Sequence, residues 1–242
     1  VRAPAAAIEH QRDRPSLRTR DLRPEWMDDP ALDADLHRDA LRGLARLNRL
    51  ARPHRAIVRE LAPIARMQSR PLRLLDLATG GGDVLRGVLD GLRRRGVRVE
   101  ATACDISARA LETAAAAGTD AAFVRCDALR DPLPGGFDVA MCSLFLHHLE
   151  DDDAATLLRR MGEAAPMVIV SDLVRSPLRL AAVHVASRIV SRSPVVRHDA
   201  PQSVRAAFTP DEARSLVHRA GLRLRTLRRS SVAQMLLAAE RS

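Results

Sequence analysis

Lysine and tyrosine are absent from the 242 residues, tryptophan occurs once and phenylalanine four times. Aromatic residues make up 2% of the chain, too few for a run of base-stacking platforms. Without lysine, the formal charge of +9 rests on arginine alone. Such basicity raises the question of nucleic acid or anionic membranes. The arginines are scattered, through Arg42–Arg55 and Arg223–Arg229 for example, and scattered charge reads as a solvated surface. No nucleic-acid partner is expected. The three cysteines, Cys104, Cys126 and Cys142, are odd in number and lack C-x-x-C spacing, which argues against a disulfide framework or a zinc site. A reducing cytoplasm fits. No apolar run approaches the ~18–20 residues of a membrane span. Residues 1–25 are arginine-rich and lack the apolar segment of a signal peptide, so none is expected. No internal repeat is visible.

What is present is enough apolar material, 46% of residues, for one α/β domain with a helical extension. Residues 1–25 read as a disordered or loosely docked tail. Asp28-Asp29-Pro30 reads as a helix start, followed by leucines at helical spacing from Leu32 to Leu50. Pro53 interrupts them and a second helix follows through Ile57, Leu61 and Ile64, giving a helical cap over 26–70. Strands are predicted at 72–77, 97–104, 121–125, 136–143 and 166–172, with helices at 83–95, 107–117 and 152–163 between them. That alternation implies crossovers and a largely parallel sheet. Residues 176–192 read as an extra helix. Thr209-Pro210-Asp211-Glu212 is a capping-box start for another, closed by Gly221. Segments 222–229 and 231–239 read as a terminal hairpin.

The most informative stretch is Leu74-Leu75-Asp76-Leu77-Ala78-Thr79-Gly80-Gly81-Gly82-Asp83-Val84. A buried strand runs into three glycines, and a helix can follow. Glycine admits positive φ and lets a ligand approach bare backbone. The spacing Asp76-x-Ala78-x-Gly80-x-Gly82 differs from both G-x-G-x-x-G and G-x-x-x-x-G-K-[ST]. It resembles motif I of class I S-adenosylmethionine-dependent methyltransferases. Three further segments follow in that family's order. Asp105 ends the second strand, Asp127-Ala128 follows the third, and Phe137–Ser143 resembles motif IV. Leu144-Phe145-Leu146-His147-His148-Leu149 is similar to a segment of small-molecule methyltransferases related to quinone-biosynthesis enzymes. The resemblance covers roughly residues 70–172, and the terminal hairpin extends it. Less sharply, Arg197–Phe208 resembles the substrate-side insert of that group, as does Trp26-Met27-Asp28 its N-terminal segment.

The resemblance implies a doubly wound, Rossmann-like, seven-stranded, mostly parallel sheet with a C-terminal antiparallel hairpin and an N-terminal helical cap. The methyltransferase domain would span 71–242, with an insert at about 174–208. The implied cofactor is S-adenosyl-L-methionine. Its site would draw on Asp76, Ala78, Thr79, Gly80 and Gly82 at the turn, and on Asp105, Ile106, Cys126, Asp127, Ala128 and Ser143 beyond. By residue chemistry alone, Asp105 is either a ribose acceptor or a cap for the helix near Ser107. Asp127 is either an adenine acceptor or a loop aspartate bonding its own turn.

A phenolic acceptor needs a base, and the candidates are His148, His198 beside Asp199, and His147. Adjacent residues point apart, so only one of His147 and His148 is expected to face the pocket. His184 reads as a plain helix residue. No carboxylate–histidine cluster has metal-ligand spacing, so metal-independent chemistry is expected; Asp151–Asp153 read as compensation of a helix dipole. Cys142 lacks the preceding proline of thiolate-dependent pyrimidine methylation and reads as a core cysteine. The expected function is methylation, O- over C-, of a small apolar or phenolic, polyketide- or quinone-like metabolite, by a monomer or homodimer. The alternatives are an RNA-modifying enzyme and a non-catalytic donor-binding partner.

Overall fold

The first strand, β1 (Leu72–Leu77), serves two cores because its side chains alternate with a period of two. Leu75 and Leu77 enter one core with Cys142, Leu157 and Val217. Leu72 and Leu74 enter the other with Ile57, Leu61 and Val88. The computed structural model, which describes residues 17–29 and 31–241, places β1 near the middle of a seven-stranded sheet. The other strands are β2 (Val99–Asp105), β3 (Ala122–Arg125), β4 (Val139–Ser143), β5 (Met167–Leu173), β6 (Leu222–Arg229) and β7 (Gln234–Arg241). Their order is β3-β2-β1-β4-β5-β7-β6. The first five run parallel, and β7 enters antiparallel between β5 and β6. This is the expected architecture. The chain reverses its direction of winding between β1 and β4, and in such sheets that crevice at the carboxyl ends takes the ligand.

Helices α2 (Pro53–Arg66) and α3 (Asp83–Arg93) cover one face. Helices α5 (Asp151–Ala164) and α8 (Pro210–Arg219) cover the other, and α4 (Ala108–Ala116) flanks β2 and β3. The capping box of α8 is formed in full: Thr209 Oγ1 accepts from Glu212 N–H, and Glu212 accepts from Thr209 N–H. Three helices stand over the carboxyl edge: α1 (Ala34–Ala51), α6 (Pro177–Val190) and α7 (Pro194–Ala206).

The details differ from the sequence expectations in three places. First, α1 begins at Ala34, where Asp33 caps it by accepting from Asp35 and Leu36 N–H. Trp26–Asp28 forms a separate 3₁₀ turn, and Pro30 lies outside the described residues. Second, α2 packs on α3 and the sheet, so of the two N-terminal helices only α1 stands over the edge. Third, residues 17–25 are pinned. Arg20 donates to the carbonyls of Leu149 (2.7 Å) and Ala206 (2.7 Å), pairs with Asp151 at 2.6 Å, and lies over the Phe208 ring at 3.5 Å. Residues 1–16 of the expected tail lie outside the described residues.

Candidate active site

A cavity of about 1460 Å³ opens at the carboxyl edge. That exceeds the ~300–1,000 Å³ of a typical single-ligand pocket. One end is built by the turn after β1. Ala78, Gly80 and Gly82 all adopt positive φ (54°, 55° and 70°), the region glycine enters without strain. Gly80 is the position where its freedom meets a ligand's need. It lines the cavity, and a Cβ built on it meets nothing within 4 Å, so a side chain would project into open space. Gly82 serves packing instead. It does not line the cavity, and an added Cβ would lie 2.8 Å from that of Ala114.

Asp105, buried at the tip of β2, accepts from Gly80 N–H at 2.8 Å and from Ser107 N–H at 2.9 Å. Each oxygen keeps a lone pair for a second donor. The helix cap proper is Ser107, which accepts from Ala110 N–H. Ile106 is exposed into the same cavity wall. Asp76 is buried beneath the turn. Its Oδ2 accepts from the Thr79 hydroxyl at 2.6 Å, whereas Oδ1 is buried without a partner among the described residues. Burial, reinforced by the charges of Asp105 and Asp83, lifts its carboxyl to about 7. Cys126, Asp127 and Ala128 line the cavity too, and so does Ser143, whose buried hydroxyl has no partner among the described residues. Asp127 also bonds its own turn, accepting from Leu129 N–H at 2.9 Å.

Leu41, Leu44 and Leu47 of α1 and Ala182, Val183 and Ala186 of α6 add an apolar lining to the cavity. Both His147 and His148 face it, against the expectation of only one. They sit in a 3₁₀ turn, Leu146–His148, where successive side chains diverge by about 120° rather than the half-turn of a strand. Their ring centroids are 4.3 Å apart. His147 is buried and its Nδ1 lies 2.6 Å from Oδ1 of Asp172, itself buried on β5. A carboxylate only accepts, so Nδ1 carries a proton, and in the neutral imidazole the lone pair is on Nε2. Asp172 further accepts from the backbone N–H groups of His147 (3.0 Å) and Leu173 (2.6 Å).

His198 is a correction. It does not line the cavity; it stacks on Trp26 with centroids 4.1 Å apart. Its Nδ1 does lie 2.8 Å from Oδ1 of Asp199, so the pair forms, but away from the cavity; Asp199 also accepts from Trp26 and Met27 N–H, each at 3.0 Å. That clamp delivers Glu25 into the cavity, where Ser203 Oγ donates to its Oε1 at 2.5 Å. Burial raises the Glu25 carboxyl, opposed by the nearby histidines. His184 is exposed on α6. Cys142 is fully buried, and burial pushes its thiol well above the ordinary range, which suits a core cysteine. Asp138 lies at the opposite end of the sheet, paired with Arg70 at 2.6 Å.

Sequence reasoning missed Asp172 and Glu25. An acid closing the apolar strand Met167–Leu173 repeats the pattern of Asp76 and Asp105, and was a usable signal for Asp172. Glu25 carries no local signal, because only the fold brings it to the histidines.

Residues 74–166 match a family model described as a methyltransferase domain. A search of curated proteins finds no match. Solved structures share the fold at low identity. A mitomycin 7-O-methyltransferase is 20% identical over 71% of this chain and 49% of its own, with a TM-score of 0.55. An O-methyltransferase family 2 protein from Planctomyces limnophilus, in complex with apigenin, is 19% identical over 88% and 63%, with a TM-score of 0.62. Magnesium protoporphyrin IX methyltransferase from Synechocystis, with bound SAH, is 15% identical over 89% and 91%, with a TM-score of 0.56. This chain spans about half the length of the first of these. Residues 74–166 thus match a methyltransferase domain, and the chain adopts the fold that these class I methyltransferases share.

Proposed function

We propose that the protein transfers a methyl group from S-adenosylmethionine to a hydroxyl of a small, apolar, phenolic metabolite of polyketide-like or quinone-like character. The observation that carries this reading is one cavity that holds both the bare backbone at Gly80 beside Asp105 and the buried His147–Asp172 pair, with much of its lining apolar. The donor, when bound, supplies an activated methyl group on a sulfonium. Gly80 clears space for it, Asp105 offers lone pairs to the ribose hydroxyls, and Asp127 and Ala128 stand at the edge for the adenine. The chain's own chemical task is then the acceptor proton.

A phenol with pKa about 10 lies three units above neutrality, a deficit of about 4 kcal/mol for forming phenolate at pH 7. His147, held in one tautomer by Asp172, offers Nε2 to take that proton as the oxygen attacks. No metal is needed for this step. The leucines of α1 and the alanines of α6 exclude water and favour a flat or alkyl-bearing acceptor. The named relatives that methylate oxygen, among them one crystallised with apigenin, support this acceptor class. The test is turnover: labelled donor with a panel of phenols, naphthols and carboxylates. Methylation of the phenolic members at oxygen supports the reading. Donor binding without transfer to any member would instead favour a non-catalytic partner.

A further inference from the structure

We propose that Glu25, His147 and His148 form a binding site for a divalent cation of the zinc class, and that filling it switches methyl transfer off. The switch rests on the reading of His147 as proton acceptor; the cation site itself does not. Their ligand atoms lie within 4.8 Å of one another in the cavity wall. Two imidazole nitrogens and one carboxylate oxygen are a donor set that suits zinc, whereas calcium and magnesium prefer oxygen alone.

The surroundings match what a ligating histidine needs. The buried Asp172 holds Nδ1–H of His147 at 2.6 Å, fixing the tautomer and leaving Nε2 for the cation, the usual carboxylate–histidine support of a metal ligand. Glu25 is steadied by the Ser203 hydroxyl on its carboxylate and by the clamp of Asp199 on the next two backbone N–H groups. Metal–ligand bonds of 2.0–2.2 Å place tetrahedral ligand atoms about 3.4 Å apart, so the trio must close by roughly an ångström. The backbone of Glu25 is clamped, so the closure falls to its side-chain torsions, which can swing the carboxylate between staggered rotamers.

A cation there occupies the lone pair that would receive the acceptor's proton. The donor end, at Gly80 and Asp105, is untouched. Zinc should therefore compete with the acceptor and not with the donor.

The test uses the full chain, first without donor or acceptor. Titration with Co²⁺ should give the visible absorption of a tetrahedral site, saturating at one equivalent and bleached by Zn²⁺. Glu25→Gln and His148→Gln should each weaken binding at least tenfold, while His184→Ala, exposed on α6 and outside the cluster, should bind as the parent does. In turnover assays Zn²⁺ should inhibit, competitively against the acceptor, with full recovery on adding a chelator. Absence of a saturable cobalt band, or variants that bind like the parent, would overturn the site. Transfer that is unchanged or faster at saturating Zn²⁺ would overturn the switch. Cobalt binding as expected in a chain that methylates no acceptor would leave the site standing and sink the methyltransferase reading instead.

Discussion

Replacing Asp172 by Asn is the substitution that separates a working His147–Asp172 pair from a merely structural one. Asp172 accepts three hydrogen bonds, from His147 Nδ1–H, His147 N–H and Leu173 N–H. An amide has one accepting oxygen, so at least one buried donor loses its partner. That costs about 1–3 kcal/mol of stability, or a few degrees in melting temperature for a chain of this size. If the amide NH₂ turns to Nδ1, the imidazole flips its tautomer and Nε2 becomes a donor. The acceptor's proton then has no base. With the full phenolate deficit of about 4 kcal/mol restored, turnover at pH 7 should fall by up to about 10³-fold. The assay is single-turnover transfer to phenols of graded pKa, measured from pH 6 to 10, with donor affinity from calorimetry. The variant should bind the donor as the parent does. Its deficit should be largest for the weakest phenol acids and shrink as pH nears the acceptor's pKa. Equal loss across all phenols and all pH values would refute the base assignment, because a packing defect has no reason to track acceptor acidity.

The remaining expectations test other parts of the site. Gly80→Val places a side chain in open cavity at φ 55°, so donor affinity should fall at least a hundredfold while the strain costs only about 1–2 kcal/mol of stability; near-parental affinity by calorimetry would remove this turn from the donor site. Asp76 has its folded-state carboxyl lifted to about 7 from an ordinary value near 3.9. Its contribution is fully present below pH 4 and is lost as pH rises through 7, by at most about 4 kcal/mol. The melting temperature of the ligand-free parent should thus decline over that window relative to Asp76→Asn, and superimposable profiles would contradict the assignment. Asp199→Ala strands two backbone N–H groups of the strap and should cost about 2–4 kcal/mol by denaturant titration. His198→Ala should lose its stacking on Trp26 and its bond to Asp199 and, since His198 does not line the cavity, keep turnover within about twofold of the parent.

The parts of the fold that were legible in the sequence are those written in local chemistry. The run from Leu72 to Val84 declares a strand, a glycine turn and a helix by composition alone, and the Thr209–Glu212 box declares a helix start by its hydrogen bonds. Helix α7 was not legible. Pro194 and Pro201 interrupt the pattern, and its buried residues include Asp199, Gln202 and Ser203, so no apolar stripe marks it. The start of α1 was misplaced because Asp28-Asp29-Pro30 offers the same residue types as the true cap, Asp33. The site divides in the same way. The donor end sits on strand tips and could be located from strand ends. The acceptor end depends on Asp172 and Glu25 meeting His147, a tertiary fact. His198 misled because its pair with Asp199 does form, but the fold turns it away from the cavity and onto Trp26.

The most direct measurement is a crystal structure of the chain grown with S-adenosylhomocysteine, paired with calorimetry on Asp105→Ala. The nucleoside should lie against Gly80 with its ribose at Asp105, and the substitution should weaken binding at least tenfold without lowering the melting temperature of the ligand-free chain by more than a few degrees. Density elsewhere, none at saturating concentration, or unaltered affinity in the variant would contradict the donor site on which the rest is built.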